Sequence, residues 1–393
     1  MTLGVSSMSF IYLDHHATTP CDPRVLEAML PWFVDAYGNP GSGHYLQGAG
    51  AREAVARARE QVAQLIGASP KEIVFTSGAT ESDNTAVIGV ARAQAHAGKH
   101  IICTNIEHSA VLDSCRFLES EGWEVSYLPV DNSGRLKAVQ VADAIRDDTT
   151  LVSIILANNE IGVIQPVAEI GALCRERGVT FHTDAAQALG RIPVDVGELG
   201  VDLLSLTAHK MHGPKGIGAL YIRRGRPRVK VEPIIHGGRH ERGMRSGTLA
   251  PHQIVGFGKT CEIALAEIQN GEPERLGMLR DRLWQGLNDR IDGIRINGCP
   301  ENRLPNNLNV CIQGVEGKAL LMGIRDLAVS SGSACNTENL RPSHVLVALG
   351  IPDDDQHTSI RFGLGRFNTQ EEVDFAISLV AEKVEALRAM SPV

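Results

Sequence analysis

Short apolar runs alternate with amphipathic stretches from about residue 47 to residue 225. The runs at 71–77, 100–104, 125–130, 151–157, 179–184 and 203–207 are short and built around Val, Ile, Leu and Phe. Such a pattern predicts strands buried on both faces rather than half-exposed ones. Between them, 49–66, 80–96, 110–120 and 167–177 repeat apolar residues at helical spacing. Strand and helix in alternation imply a mainly parallel sheet covered by helices. A long amphipathic stretch, 253–290, reads as a connecting helix system. The rhythm then changes to shorter segments at 307–312, 318–324, 327–330, 344–349 and 359–364 and a terminal helix, which predicts a smaller α+β lobe. No internal repeat breaks this scheme.

In a sheet of this kind ligands bind beyond the carboxyl ends of the strands, and those ends are polar here. After 71–77 comes Ser77-Gly78-Ala79-Thr80-Glu81-Ser82-Asp83. Small residues and a helix start, with Thr80 expected as N-cap, suit an anion cradle of backbone N–H groups; a plain capped turn would read the same way. Asn105-Ile106-Glu107-His108 follows the second strand, and Asn158-Asn159-Glu160 places two amides at another strand end. Asp184 ends a buried strand, where a carboxylate needs a cationic or donor partner. Lys210 follows the strand 203–207 among small and hydroxyl residues, in Thr207-Ala208-His209-Lys210. A lysine so placed can lose its proton and act as a nucleophilic or Schiff-base amine. Alone it reads rather as a surface lysine. Aspartate, strand-end lysine and phosphate cradle together are what a pyridoxal phosphate enzyme requires.

Composition narrows the alternatives. The chain has 393 residues, enough for two or more lobes. With 38 Lys and Arg against 46 Asp and Glu, the formal charge is 38 − 46 = −8, which argues against a nucleic-acid-coating surface. Arg223, Arg224, Arg226, Arg228 and Lys230 form one local basic run, read as a solvated loop after a strand. The eight cysteines contain no CxxC pair, so a zinc ribbon or thioredoxin-like site is not expected, and the pattern fits a reducing compartment. No stretch approaches the roughly 20 apolar residues of a membrane span, and no signal peptide is expected. Gly258-Lys259-Thr260 lacks the earlier glycine of a P-loop, and zinc at the histidine pairs 209/212 and 236/240 is improbable. Cys335 stands apart. It lies in Ser330-Ser331-Gly332-Ser333-Ala334-Cys335-Asn336, where the smallest side chains predict an accessible loop.

Taken together, these motifs resemble those of cysteine desulfurases of the NifS/IscS-like group, in the class-V aminotransferase family. The resemblance runs from Tyr12-Leu13-Asp14-His15-His16-Ala17-Thr18-Thr19-Pro20 to Arg361-Phe362-Gly363-Leu364-Gly365-Arg366-Phe367. It implies the aspartate-aminotransferase-like α/β fold (fold type I), with an N-terminal segment 1–22 packing on the small domain. A large cofactor-binding domain 23–260 and a small domain 261–393 would follow, the latter carrying the cysteine loop at about 328–342. It also implies pyridoxal 5'-phosphate, its phosphate bound by Ala79, Thr80, Thr207 and His209, and by Thr248 from a second subunit of a homodimer. His108 would stack on the ring and act as acid–base group, Asp184 would pair with the ring nitrogen, and Gln187 with the ring hydroxyl. Lys210 would carry the cofactor and move the Cα proton, while Asn159 and Arg361 would hold the substrate carboxylate.

The activity so implied converts L-cysteine to L-alanine and leaves the sulfur on Cys335 as a persulfide. From there it would pass to an acceptor such as an iron–sulfur scaffold or a tRNA-thiolating enzyme in the cytoplasm. The loop departs from the family by reading Asn336-Thr337-Glu338-Asn339 after the cysteine, where small residues usually continue. A cystine C–S lyase or selenocysteine lyase on the same fold would yield pyruvate and ammonia or act on selenium. An aminotransferase is disfavoured by Cys335, and a non-catalytic scaffold by the intact chemical positions.

Overall fold

The structure, a computed structural model, describes residues 10–331 and 343–390. Its centre is a seven-stranded sheet formed by β2 (Ile73–Thr76), β3 (His100–Thr104), β4 (Glu124–Leu128), β5 (Thr149–Ser153), β6 (Thr180–Asp184), β7 (Leu203–Thr207) and β8 (Gly218–Ile222). The spatial order is β2-β8-β7-β6-β5-β3-β4. The contiguous strands from β7 to β4 are parallel, and β8 runs antiparallel to both its neighbours. Four of them are fully buried, as short apolar runs in a sheet covered on both faces predict.

Where structure and expectation differ, local chemistry gives the reason. Strand β8 has no α-helix before it: only residues 208–217, with a single 3₁₀ turn at Ala208–Lys210, separate Thr207 from Gly218. That connection is too short for a parallel crossover, so the chain returns antiparallel. The run at 151–157 ends as a strand at Ser153, yet its backbone keeps bonding, Ile154 N–H to His182 O at 3.1 Å and Leu156 N–H to Asp184 O at 2.9 Å. The extended chain thereby carries Asn158 and Asn159 to the rim beside Asp184. The helix expected from Thr80 begins at Ala79 with Gly78 as its N-cap. Thr80 thus lies inside the first turn rather than capping it.

The stretch 253–290 is two helices, Pro251–Gln269 and Glu272–Asn288, broken at Gly271 with φ 85°, a conformation that favours glycine. Ile254, Phe257, Cys261 and Ala264 of the first enter the core around the large sheet. Leu276, Leu279, Leu283 and Leu287 of the second enter a separate core. The first core also takes in Cys299, Leu304, Val345, Leu346 and Leu349, so the chain crosses between the two cores more than once. The second core includes Ile11 and Leu13, because β1 (Ile11–Tyr12) pairs in parallel with β11 (Leu327–Ala328). Beside it a four-stranded sheet has the order β12-β13-β10-β9, from β9 (Ile294–Ile296), β10 (Asn307–Ile312), β12 (Ser330–Ser331) and β13 (Ser359–Gly363).

One surface segment is pinned to the large sheet with unusual force. Glu241 (φ 45°) and Arg242 (φ 59°) occupy the left-handed region. The Glu241 carboxylate accepts two Arg59 N–H groups at 2.6 Å and the Phe75 N–H at 2.8 Å. Arg59 also lies 4.5 Å over the Phe75 ring. Because the Glu241 side chain is 1 % exposed, removal of its partner strands a buried charge. Arg59→Ala is expected to lose about 3–5 kcal/mol of stability, measured by denaturant unfolding.

Candidate active site

The carboxyl ends of β5, β6 and β7, the helix start at Ala79 and the β13 strand of the second lobe meet around a cavity of about 630 Å³. Its wall contains Ala79, Thr80, His108, Asn159, Asp184, Gln187, Thr207, His209, Lys210 and Arg361. Ten of the residues singled out in the sequence are thus brought together. Thr248 is not among the lining residues; it is exposed, on the segment that Glu241 anchors. Cys335 lies outside the described residues.

Each wall has its own logic. At one end the helix Ala79–Gln94 presents first-turn N–H groups, which have no partner within a helix. A Cβ built on Gly78 would meet, beyond its chain neighbours, only Thr207 Oγ1 at 3.9 Å, so the glycine leaves open space in front of the turn. Glu81 stays out of that space. It accepts the Ser77 N–H at 2.8 Å and pairs with Arg245 at 2.9 Å. Along the floor, Lys210 sits on the turn Ala208–Lys210 just after β7, and its amine donates to the carbonyls of His16 and Ala17, the latter at 2.8 Å. His209 Nδ1 meets Thr18 Oγ1 at 3.1 Å. Burial, with the neighbouring charges of Lys210 and Lys215, pushes its pKa down to about 4, which leaves the ring neutral.

On the opposite side Asp184 accepts the Ala186 N–H at 2.8 Å. His108 caps the helix Ser109–Ser120, its Nδ1 accepting the Ala110 N–H at 3.1 Å, so the proton of a neutral ring is on Nε2. Gln187 donates to His16 O at 3.0 Å, and its Oε1 lies 2.9 Å from His16 Nδ1. At the far end the Arg361 guanidinium donates to Asn159 O and Asp14 Oδ1, both at 2.8 Å.

Sequence reasoning assigned no role to His16, Thr18, Glu160 or Ser343. The first two belong to the polar run that follows β1, whose approach to Lys210 depends on a contact almost two hundred residues long in sequence. Glu160 and Ser343 tie together segments 183 residues apart through a 2.5 Å hydrogen bond. The polar triplet Asn158-Asn159-Glu160 was the available signal, read only for its amides.

Two buried acids beside the cavity hold their protons unusually well. Burial drives the pKa of Glu160 up to about 7 and that of Glu107 up to about 8. A carboxyl whose folded pKa is raised stabilises the fold below its ordinary value, 4.5 here, and that contribution is lost as pH rises through the folded value. For Glu107 the window therefore runs from pH 4.5 to about 8. Glu107→Gln cannot ionise, so its unfolding free energy is expected to exceed the parent's by on the order of 2 kcal/mol near pH 9, the difference shrinking toward pH 5. An offset independent of pH would contradict this.

Comparison with known proteins agrees with the geometry. The profile of the class-V aminotransferase family matches residues 11–375. The chain is 56 % identical over 382 residues to a cysteine desulfurase IscS of Anaeromyxobacter dehalogenans (strain 2CP-C), covering 97 % of this chain and 94 % of that one. Among solved structures, a NifS-like protein superposes with a TM-score of 0.89 at 39 % identity, over 96 % of this chain and 100 % of the other. SspA in complex with cysteine gives 0.79 at 38 % identity, over 91 % and 100 %. The chain belongs to the class-V aminotransferases, a family of pyridoxal-phosphate enzymes. Within that family it falls among the cysteine desulfurases.

Proposed function

We propose that the protein is a pyridoxal-phosphate-dependent cysteine desulfurase that moves sulfur from L-cysteine to Cys335 and releases L-alanine. The observation that carries this reading is convergence: a lysine amine, a buried carboxylate and a helix start with open space before it share one cavity, closed at the far end by an arginine. The wall fits the cofactor's chemistry. The space in front of Gly78 suits a phosphate, Asp184 suits a ring nitrogen cation and Lys210 suits an aldehyde.

When bound, the cofactor supplies an electron sink that stabilises negative charge at the substrate Cα. The first-turn N–H groups of Ala79 and Thr80, the Thr207 hydroxyl and His209 hold its phosphate. Thr248, exposed on its anchored segment, reaches the phosphate of a second subunit. Gln187 would hold the ring hydroxyl, His108 would meet the ring, and Asp184 would balance the positive charge of the ring nitrogen. Arg361 and Asn159 take the substrate carboxylate. Lys210 Nζ, aimed into the cavity by two backbone carbonyls, moves the Cα proton. The Cys335 thiolate then attacks the substrate sulfur. A sulfur–sulfur bond forms, the carbon–sulfur bond breaks with its electron pair left on carbon, and protonation of that carbon gives alanine. The persulfide is handed to an acceptor such as an iron–sulfur scaffold or a tRNA-thiolating enzyme. Cytoplasmic action belongs to the same proposal; among the described residues no helix is long and apolar enough to cross a membrane.

Single turnover with cysteine labelled in its sulfur tests the reading. The parent is expected to carry label on Cys335 and release alanine. Cys335→Ser is expected to lose both, with alanine formation down about 10³-fold or more. An unchanged rate of alanine formation in Cys335→Ser would refute the sulfur-acceptor role, and pyruvate with ammonia would indicate a lyase.

A further inference from the structure

Arg361 is not an isolated cation waiting for an anion. Its side chain is 2 % exposed, and a buried guanidinium needs a countercharge. Asp14 provides it: Oδ1 accepts Arg361 Nη2 at 2.8 Å, while Oδ2 accepts the Ser330 hydroxyl at 2.8 Å. The arrangement is built into the small lobe. Asp14 bridges to Gly363, two residues along β13 from Arg361, and Ser330 is the register partner of Arg361 across β12 and β13. Glu160, the other acid near Arg361, is tied to Ser343 and keeps its proton to about pH 7. The carboxylate that acts on the guanidinium is therefore Asp14.

This matters because substrate and product carry the same α-carboxylate. Whatever Arg361 contributes to holding cysteine it contributes equally to holding alanine, and uniform binding of that kind lowers KM without raising kcat. We infer that Asp14 is an internal counter-carboxylate that weakens the grip of Arg361 on the amino-acid carboxylate, so that alanine leaves. It is a positioning residue that sets affinity through Arg361, and the inference rests on the reading of Arg361 as the carboxylate site.

The test is calorimetric titration of the holoenzyme with L-alanine, together with steady-state kinetics on cysteine. Asp14→Asn retains an oxygen acceptor for Arg361 and removes the charge. It is expected to bind alanine about tenfold more tightly, or about 1.4 kcal/mol, and to lower the KM for cysteine by the same factor. Affinity for cysteamine, which has the thiol and amine without the carboxylate, is expected to stay within about twofold. Ser330→Ala removes the donor that shares the charge of Asp14, so alanine is expected to bind about two- to threefold more weakly. This second variant keeps the idea testable if Asp14→Asn folds poorly. Unchanged or weaker alanine binding in Asp14→Asn, or tighter binding in Ser330→Ala, would overturn the inference. Arg361→Lys separates the two levels. If it binds alanine like the parent, the carboxylate role of Arg361 fails and the inference fails with it. If it binds alanine poorly while Asp14→Asn leaves affinity unchanged, only the role of Asp14 fails.

Discussion

Lys210→Ala is expected to form alanine from cysteine at least about 10⁴-fold more slowly than the parent, the upper range for loss of a positioned acid–base group. Two features of the structure set that magnitude. The turn Ala208–Lys210 places the amine directly after β7, and the carbonyls of His16 and Ala17 hold it at the cavity floor. Among the residues proposed to act on the substrate Cα, Lys210 supplies the base. Lys210→Arg is expected to be equally inactive although it keeps charge and bulk, because a guanidinium does not surrender its proton. Rapid-quench assay of alanine, with cofactor content measured in parallel, checks both variants. A variant that keeps its cofactor and more than about a hundredth of the parent rate would remove Lys210 from the proton-transfer step.

Much of this site was legible because it lies on strand ends. Apolar runs give the parallel strands, and the polar residues that stop each run fall at one edge, so Asp184, Lys210 and Asn159 could be grouped before any contact was known. What escaped the pattern was non-local or conformational. No periodicity announces that β8 turns back antiparallel. The N-cap moved from Thr80 to Gly78 because backbone angles, not side-chain type, decide where a helix begins. The helix pair joined at Gly271 read as one amphipathic stretch, since a single glycine interrupts the pattern little. Likewise, the ties of Lys210 to His16, Arg361 to Asp14 and Glu160 to Ser343 link segments roughly 180 to 350 residues apart, as their partner numbers show. A single sequence carries no periodic trace of such pairs.

Asp184→Asn is the second large effect, expected to lower kcat by about 10²–10³-fold, the range for removing one preorganised electrostatic group. The reason lies in how negative charge is distributed behind the cavity. Three acids, Asp83, Glu107 and Asp184, are buried there. Burial, reinforced by the charge of Asp184, holds the Asp83 pKa well above the ordinary carboxyl range, and burial lifts Glu107 to about 8. Burial raises Asp184 as well, but His108, the Ala186 N–H and Lys210 oppose it. The groups that favour a carboxylate thus act on the one acid of the three that lines the cavity. An amide at 184 preserves shape and an acceptor for Ala186 while removing the countercharge for a ring nitrogen cation. In the holoenzyme, the pH at which the cofactor's visible absorption titrates is expected to shift in Asp184→Asn. Asp83→Asn, at a carboxyl that burial and Asp184 disfavour as an anion and that does not line the cavity, is expected to cost less than about tenfold. Comparable losses in both variants would show that the two carboxyls share the charge, and would assign the electrostatic role to the pair rather than to Asp184.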